Sequence, residues 1–336
     1  MAELFRDRLL QQNMTPLWDV FKDLVSKEPN SGCQPTLWRY CDARPAVLEA
    51  GEVISASDAE RRVLILENPG LKGQSRTTTS LYAGLQLVLP GESAPAHRHS
   101  QSALRLVIEG DGGYTTVNGE RVPMAPGDFI ITPTGSWHDH GNDGSEPVIW
   151  LDGLDIPMIG LLDASFVEHH PDHVQSVTRP SGDALARYGS GLLPVNYDAS
   201  VSSSPLFHYP YARTIDALNR LRHSGEVDPC HGLKFVFVNP VTGGPAIPGI
   251  EAFVQGLPAN TTTQAYRATD ATVFSVISGN GRMHLDDRVF EWSEHDTFVV
   301  PSWCRYQLES HNEGVLFGFS DRPLQRYLGV LREERG

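Results

Sequence analysis

Two pairs of histidines could do chemistry in this 336-residue chain: His97 with His99, and His138 with His140. Each pair has His-x-His spacing and lies in or beside a short run of β-forming residues. Because side chains alternate between the two faces of a strand, both members of a pair point to the same face. Two strands of one barrel could therefore bring three or four imidazoles together. Neutral imidazole is a common ligand of iron, zinc, copper and nickel, so the spacing predicts a metal site.

The elements that must position these histidines are short β-type runs separated by Gly, Pro, Asn and Asp. Repeated short strands with turn signals favour a β-sandwich or barrel. A second block of such runs follows in the same order. Gly110 and Gly279 are 169 positions apart, and Pro133 and Pro301 are 168 apart. This agreement indicates an internal duplication, and the predicted fold class is all-β dominated with two barrels and additional helices.

Apolar residues at helical spacing predict helices in the first 45 residues, and three further segments are typical of helices. Asp58 is a plausible N-cap for the first of these. The three segments are DAERRVLILEN (58–68), ARTIDALNRLRH (212–223) and LQRYLGVLREERG (324–336). The predicted organisation is a helical arm (1–55), a first β-block (56–160), a connecting region with some helix (161–230), and a second β-block ending in a short amphipathic helix (231–336).

Composition narrows the class of protein. The chain has 41 acidic and 27 basic residues and a formal charge of −14, which argues against nucleic-acid binding. No apolar run approaches the ~20 residues of a membrane helix, and charges interrupt the N-terminal apolar stretches as they would not in a signal peptide. The four cysteines have no CxxC spacing. We expect a reduced, cytoplasmic protein that does not bind a membrane.

The histidine spacing resembles the two motifs of the cupin superfamily. Gly91-x5-His97-x-His99, ending at Gly110, is similar to the first motif. The string GDFIITPTGSWHDHGN (127–142) matches the second motif at every fixed position. The resemblance implies a six- to eight-stranded barrel that holds a metal on His97, His99 and His138.

One departure from the cupin pattern is informative. Cupins usually place a glutamate ligand after a gap of three or four residues from the second histidine, where this chain has Ala103 and Leu104. Three neutral histidines would not reduce the charge of a divalent ion. They would also leave about three coordination positions open on an octahedral ion. Such a site should favour an anionic, bidentate hydroxy-acid and leave one position for dioxygen.

A longer stretch resembles the gentisate 1,2-dioxygenase group, which also includes salicylate and 1-hydroxy-2-naphthoate dioxygenases. The matching strings are AERRVLILENPGL, LYAGLQLVLPGESAPAHRHSQSALRLVIEG, GDFIITPTGSWHDHGN and VIWLDGLDIP. The resemblance implies a two-cupin homo-oligomer, a tetramer, that uses Fe(II) and O2 to open the ring of a small aromatic hydroxy-acid. For gentisate, cleavage between C1 and C2 gives maleylpyruvate.

Several further residues are candidates for the substrate site. Arg105 lies eight residues after His97, so on a regular strand it faces the same lumen. We interpret it as a clamp on the substrate carboxylate, as the resemblance implies; an internal salt bridge or an outward bulge is the alternative. Tyr82 and Gln86 alternate with apolar neighbours and should line the same cavity, although Tyr82 could simply pack in the core. Gln86 is the more telling, because a buried amide needs partners.

The resemblance assigns roles to three more positions. His140 shares the face of His138 and is expected to handle substrate and protons rather than to bind metal. Asp152 resembles a family aspartate that faces the ring hydroxyl opposite the metal, with a turn residue as the alternative. Arg61 resembles an arginine that helps to bind the carboxylate; Arg62 could be its equivalent, and a solvated helix face is the alternative for both.

The second block lacks the histidine pattern. Its equivalents of His97, His99 and His138 are Tyr266, Ala268 and Tyr306, so we expect no metal there. The cluster HHPDH (169–173) is more simply a solvated loop than a metal site. Two other classes stay open: an isomerase-type metal cupin, which would not consume oxygen, and a noncatalytic ligand-binding cupin.

Overall fold

The computed structural model describes residues 2–225 and 227–336. The helices are α1 (Ala2–Gln11), α2 (Leu17–Leu24), α3 (Tyr40–Val53), α4 (Ala56–Ala59), α5 (Ile156–Leu161), α6 (Asp183–Tyr188), α7 (Tyr211–Ser224) and α8 (Arg322–Tyr327). None of the helices that the structure describes is long and apolar enough to cross a membrane.

The strands up to residue 209 are β1 (Thr36–Trp38), β2 (Val63–Ile65), β3 (Tyr82–Val88), β4 (Ser93–His99), β5 (Ala103–Glu109), β6 (Gly113–Val117), β7 (Glu120–Pro123), β8 (Phe129–Thr132), β9 (His138–Asn142), β10 (Val148–Leu154), β11 (Val167–His169) and β12 (His208–Tyr209). The later strands are β13 (Leu233–Val236), β14 (Glu251–Leu257), β15 (Thr261–Thr262), β16 (Tyr266–Ala268), β17 (Thr272–Ser278), β18 (Gly281–Leu285), β19 (Arg288–Trp292), β20 (Thr297–Val300), β21 (Tyr306–Ser310), β22 (Gly314–Ser320) and β23 (Glu333–Arg335).

These strands form two barrels, each built from two antiparallel sheets. The sheets of the first barrel have the strand orders β12-β8-β5-β10-β3-β2 and β11-β4-β9-β6-β7. Those of the second are β1-β20-β17-β22-β14-β13 and β19-β18-β21-β16-β23, with β15 paired to β21. The two-barrel, all-β dominated fold predicted from the sequence is confirmed. Corresponding strands follow the same order in both barrels, which also agrees with an internal duplication.

The barrels pack against each other through the outer faces of two sheets. The ring of Phe129 on β8 lies 5.3 Å from that of Phe317 on β22, centroid to centroid. Gly153 lies within β10 at this contact, and a Cβ there would come within 2.7 Å of the Phe319 ring. Apolar side chains of the second barrel thus pack against the outer face of this sheet of the first barrel. Asp152, next to Gly153 on β10, is a strand residue rather than a turn residue.

The prediction of a helix over 58–68 is wrong. Helix α4 ends at Ala59, and the chain then enters the edge strand β2. The N-cap is Ser55, whose hydroxyl accepts a hydrogen bond from the Asp58 backbone N–H at 3.1 Å. The run Val63-Leu64-Ile65 is extended because it pairs with β3, with Val63 opposite Gln86. β-Branched residues in such a ladder pack well, and this tertiary contact outweighs the local helical pattern.

The two ends of the chain also differ from the prediction. The arm contains helices α1 to α3, as expected, but its strand β1 joins the second barrel beside β20. The C-terminal segment predicted as one amphipathic helix is helical only in α8, and its last residues form β23 against β16. Gly329, with φ +71°, follows the helix end. Ion pairs such as Arg267–Glu334 (2.7 Å) hold the charged tail in extended form.

Candidate active site

Three histidines meet inside the first barrel. His97 and His99 extend from β4 and His138 from the neighbouring strand β9, where it lies directly opposite His97. The ring centroids are 4.5 to 5.2 Å apart. One ligand atom from each ring lies within 4.8 Å of the others, and no other such metal-ligand group occurs among residues 2–225 and 227–336. The structure therefore brings together the three residues predicted to hold a metal.

Hydrogen bonds fix the orientation of two of these rings. Nδ1 of His99 lies 2.8 Å from the Gln101 carbonyl, and Nδ1 of His138 lies 2.9 Å from the Ser136 carbonyl. A carbonyl oxygen only accepts, so Nδ1 carries the proton and Nε2 keeps a free lone pair. Burial lowers the pKa of both imidazoles. Two neutral nitrogen donors are thus already oriented for a divalent metal.

His97 has a different partner. Its Nδ1 lies 3.2 Å from Nη2 of Arg61, which also donates to the Pro95 carbonyl at 2.7 Å. A guanidinium only donates, so Nδ1 of His97 acts as the acceptor in this arrangement. Burial, followed by the charge of Arg61, lowers the pKa of His97 to about 2. If His97 bound a metal through Nε2, its ring proton would lie on Nδ1. Nδ1 could then no longer accept a hydrogen bond from Arg61.

A buried ion pair lies across the lumen. Arg105 on β5 is directly opposite Asp152 on β10, and Arg105 Nε lies 3.3 Å from Asp152 Oδ1. The two residues are only 3% and 4% exposed. Arg105 also donates from Nη1 to the Thr132 hydroxyl at 2.7 Å. Burial raises the pKa of Asp152 to about 6, although the charge of Arg105 opposes this rise. The internal salt bridge considered for Arg105 is therefore present, and both partners face the lumen.

Polar atoms around this pair lack partners. Arg105 Nε, Asp152 Oδ1, Trp150 Nε1 and both ring nitrogens of His140 are buried without a well-aligned hydrogen bond from any described residue. The Arg105 Nε–H does not point along its short contact with Asp152. A buried polar atom without a partner costs about 1–3 kcal/mol, and native interiors contain few of them. Their concentration around one lumen indicates a site built for a polar ligand and a metal.

Strand β3 lies beside β10 in the same sheet and supplies more of the lumen wall. Gln86 is buried opposite Trp150, and Gly84 lies opposite Asp152. A Cβ on Gly84 would come within 3.1 Å of the Tyr82 hydroxyl and 2.5 Å of Val63 Cγ1, so this position has no room for a side chain. Burial, and then the charge of Asp152, raise the pKa of Tyr82. Tyr82 and Gln86 are thus placed along the predicted cavity wall.

The structure distinguishes the two adjacent arginines. Arg61 faces the lumen, where it contacts His97 and interacts with the charges of Arg105 and Asp152. Arg62 points away from it. Arg62 is buried in an ion pair with Glu92 and donates to the Gly51 carbonyl at 3.4 Å. Of the two candidates, only Arg61 is therefore placed where a substrate could bind.

Sequence analysis missed Trp150. This residue is fully buried at 0% exposure, and its ring lies edge-on to His140 at 5.5 Å. Two positions before Asp152, it faces the same lumen. That parity in VIWLDGL was a usable signal, but no role was predicted for this tryptophan.

The HHPDH cluster contributes no part of the metal group among the described residues. His169 lies on β11 and pairs with His97 through the backbone, so it belongs to a strand rather than to the predicted loop. His170 lies edge-on to Trp137 at 4.9 Å, and His173 contacts the Ser93 hydroxyl at 3.2 Å. His169 and His173 are exposed, and His170 is half-buried.

Known proteins resemble the chain in sequence and in fold. A family model described as "Cupin domain" matches residues 84–154. Gentisate 1,2 dioxygenase 1 of Aquipseudomonas alcaligenes is 54% identical and covers 98% of this chain and 95% of its own length. 5-Aminosalicylate 1,2-dioxygenase of Comamonas sp is 36% identical, covering 99% and 90%. Salicylate 1,2-dioxygenase of Pseudoaminobacter salicylatoxidans, in its crystal structure with gentisate, has a TM-score of 0.95 at 33% identity, covering 99% and 93%.

The similarity extends over both barrels and over the helices around them, since nearly the whole chain is covered in each comparison. It agrees with the site, in which three histidines lie beside a buried Arg105–Asp152 pair. The relatives are named as dioxygenases of hydroxylated or aminated benzoates. The chain belongs to the gentisate 1,2-dioxygenase family of two-barrel cupins, which are ring-cleaving oxidoreductases.

Proposed function

We propose that this protein is an Fe(II)-dependent gentisate 1,2-dioxygenase, which opens gentisate between C1 and C2 to maleylpyruvate in the degradation of aromatic compounds. The observation that carries the proposal is the lumen itself: three neutral histidines without a carboxylate ligand stand beside a buried arginine and a buried aspartate. The 54% identical relative named gentisate 1,2 dioxygenase supports the choice of substrate.

The donor set suits Fe(II). His97, His99 and His138 would hold the ion, and imidazole ligands are compatible with iron among several metals. Because these ligands carry no negative charge, they leave the full charge of the metal ion to attract an anionic substrate. When bound, iron supplies the redox chemistry that lets dioxygen react with the electron-rich ring.

Arg105 would bind the substrate carboxylate through charge-assisted hydrogen bonds, with Arg61 as a second cation nearby. Neither guanidinium loses its proton, so both orient the ring without taking part in proton transfer. Gln86 and Tyr82 would line the same sheet beside Asp152 and exclude water from the ring face. Each of these side chains already lies in the first lumen without a ligand.

Asp152 and His140 would handle protons. With its pKa raised to about 6, Asp152 is mostly ionised at neutral pH and can accept the hydrogen of the 5-hydroxyl. His140, whose ring nitrogens lack partners, can exchange a hydrogen bond with a substrate oxygen. A ring hydroxyl that shares its proton with a carboxylate becomes more electron-rich, which favours attack by oxygen.

Salicylate and 1-hydroxy-2-naphthoate are the alternative substrates within the family. Neither has a hydroxyl para to the first one, so neither would supply a donor to Asp152. Asp152 Oδ1 accepts no well-aligned hydrogen bond from a described residue and can accept one from the 5-hydroxyl, which favours gentisate. The alternatives of another class, an isomerase-type cupin and a noncatalytic cupin, predict no oxygen consumption.

We also propose that the chain forms a homo-oligomer, a tetramer, in the cytoplasm. Helix α2 supports association because it has no buried residue. Its apolar side chains Leu17, Trp18, Phe21 and Leu24 are 51–71% exposed. Contiguous apolar surface of this kind marks interaction sites. Light scattering of the purified protein should give four chains, and a monomer would contradict the proposal.

Oxygen uptake by anaerobically loaded protein tests the proposed function. Fe(II)-loaded protein should consume oxygen rapidly with gentisate and much more slowly with salicylate or 1-hydroxy-2-naphthoate, and Zn(II)-loaded protein should consume none. Uptake with salicylate alone would keep the family activity and change the substrate. No uptake with any of them, despite bound iron, would favour an isomerase or a binding protein.

A further inference from the structure

Trp150 lies in the lumen between two residues with proposed roles. On β10 it is two positions before Asp152, and it pairs with Gln86 on β3 and Val107 on β5. Its side chain is 0% exposed, and its ring lies 5.5 Å from the His140 ring at an angle of 63°. No role has been assigned to it so far.

The indole N–H is the important group. An indole nitrogen only donates, and a buried tryptophan normally places this group against an acceptor. Here neither Trp150 Nε1 nor Asp152 Oδ1 has a well-aligned hydrogen bond with any described residue. Trp150 and Asp152 are two positions apart on β10, so their side chains are neighbours on the lumen face of the sheet, and the indole N–H also lowers the pKa of Asp152 against the effect of burial. The Asp152 carboxylate is therefore flanked by two donors, the guanidinium of Arg105 and the indole of Trp150.

We propose that Trp150 is a positioning residue that fixes the rotation of the Asp152 carboxylate and thereby sets the preference for substrates with a hydrogen-bond donor at C5. This inference rests on the proposed function, in which Asp152 accepts a hydrogen bond from that substituent.

The physical reason is that Arg105 and Trp150 compete for the Asp152 carboxylate. A carboxylate beside a guanidinium tends to rotate into a bidentate pair, which would engage both of its oxygens. The Arg105–Asp152 contact is a single one at 3.3 Å, so the pair is not bidentate in this way. A donor beside it on the aspartate's own strand would hold the carboxylate in this rotation. One acceptor position then stays directed at the ring, where a 5-hydroxyl or 5-amino group would bind.

A double-mutant cycle tests the proposal. Dissociation constants of gentisate and salicylate are measured anaerobically on Fe(II)-loaded wild type, Trp150→Phe, Asp152→Asn and the double variant. Losing one hydrogen bond of ~1 kcal/mol corresponds to about fivefold weaker binding. We expect Trp150→Phe to weaken gentisate binding about fivefold and to change salicylate binding less than twofold. The double variant should bind gentisate no more weakly than Asp152→Asn alone, because the two residues act as a unit.

Trp292→Phe is the matched control. Trp292 is also almost fully buried and has an unpartnered indole N–H, but it lies in the second barrel. Its substitution should leave both dissociation constants unchanged. If Trp150→Phe does not fold, 3-benzothienylalanine at position 150 keeps the bicyclic shape without the N–H, and the same selective loss is expected.

Equal weakening of both ligands, or additive effects in the double variant, would overturn the inference and leave Trp150 as a packing residue. The dissociation constants of the wild type distinguish failure of this inference from failure of the proposed function. If wild type binds salicylate but not gentisate, the proposed function fails, and this inference fails with it.

Discussion

Tyr266 lies directly across the ladder from Tyr306 in the second barrel, in the register that His97 and His138 have in the first. The two tyrosine rings are in edge contact at 5.8 Å, and both are 6% exposed. Phe274 occupies the position that corresponds to Arg105 and stacks on Phe298 at 5.0 Å. Aromatic packing thus fills the lumen of the second barrel where the first has ligands and charges.

The first prediction concerns metal stoichiometry. Because only the first barrel has the three histidines, the protein should bind one Fe(II) per chain, measured by elemental analysis after removal of free metal. His138→Ala should lose this metal, since two imidazoles hold a divalent ion weakly. Tyr306→Phe, at the equivalent position of the second barrel, should retain it. Two ions per chain, or a fully loaded His138→Ala variant, would contradict the ligand assignment.

The second prediction separates the adjacent arginines. Arg61→Met should raise the KM for gentisate at least tenfold, because a charge-assisted hydrogen bond contributes about 1.5–3 kcal/mol. Arg62→Met should leave the KM within twofold, because Arg62 pairs with Glu92 outside the lumen. It should instead lower the free energy of unfolding, measured in urea. The opposite pattern would show that Arg62 is the arginine that binds substrate.

The third prediction separates stability from binding at the buried ion pair. Arg105→Met leaves Asp152 buried without its partner and should lower the free energy of unfolding by about 3–5 kcal/mol. The double variant Arg105→Met, Asp152→Leu removes both charges and should recover much of this loss. Neither variant should turn over gentisate, since the carboxylate clamp is absent in both. Activity in the double variant would contradict the role given to Arg105.

The fourth prediction concerns pH. Burial raises the pKa of Asp152 to about 6, although the charges of Arg105 and Arg61 partly oppose this rise. For gentisate, kcat/KM should therefore rise with pH through about 6 as the carboxylate ionises, and this limb should be absent in Asp152→Asn. The measurement is a pH profile with bound iron quantified at each point. An identical acid limb in Asp152→Asn would assign it to another group.

The same ionisation affects stability with a defined sign. An unfolded aspartate has a pKa of about 3.9, so between about pH 4 and 6 the folded protein keeps a proton that the unfolded chain has released. The contribution of Asp152 to the free energy of unfolding should therefore fall as pH rises through this window, against the rise that the buried histidines with lowered pKa values contribute. Burial also raises the pKa of Asp155 to about 6, and it contributes with the same sign. The free energy of unfolding of wild type, measured in urea, should therefore fall relative to that of Asp152→Asn between about pH 4 and 6.

Much of the first barrel could be predicted because its chemistry is periodic. Alternation along β4 places His97 and His99 on one face, and the turn residues between the strands mark where they end. Arg105 also faces the lumen, but it does so from β5 in the other sheet of the barrel. The duplication was visible because both blocks repeat their turns at nearly constant spacing. The loss of the metal ligands in the second block could be deduced from the same spacing.

The segments that were predicted wrongly depend on contacts distant in sequence. Residues 63–65 form a strand because β3 offers them an edge, and residues 333–335 do so because β16 and Arg322 hold them. Trp150 was missed for a related reason, since only the fold shows that its ring packs edge-on against His140. Local patterns cannot report which partner a segment finds after the chain has folded.

The mass of the product formed by the Fe(II)-loaded protein from gentisate tests the central claim most directly. A ring-cleaving dioxygenase keeps every atom of the substrate and adds both atoms of O2, so the product should be heavier than gentisate by two oxygen atoms. One mole of oxygen should be consumed per mole of product. A product of unchanged mass, or oxygen consumed while gentisate stays intact, would contradict the account.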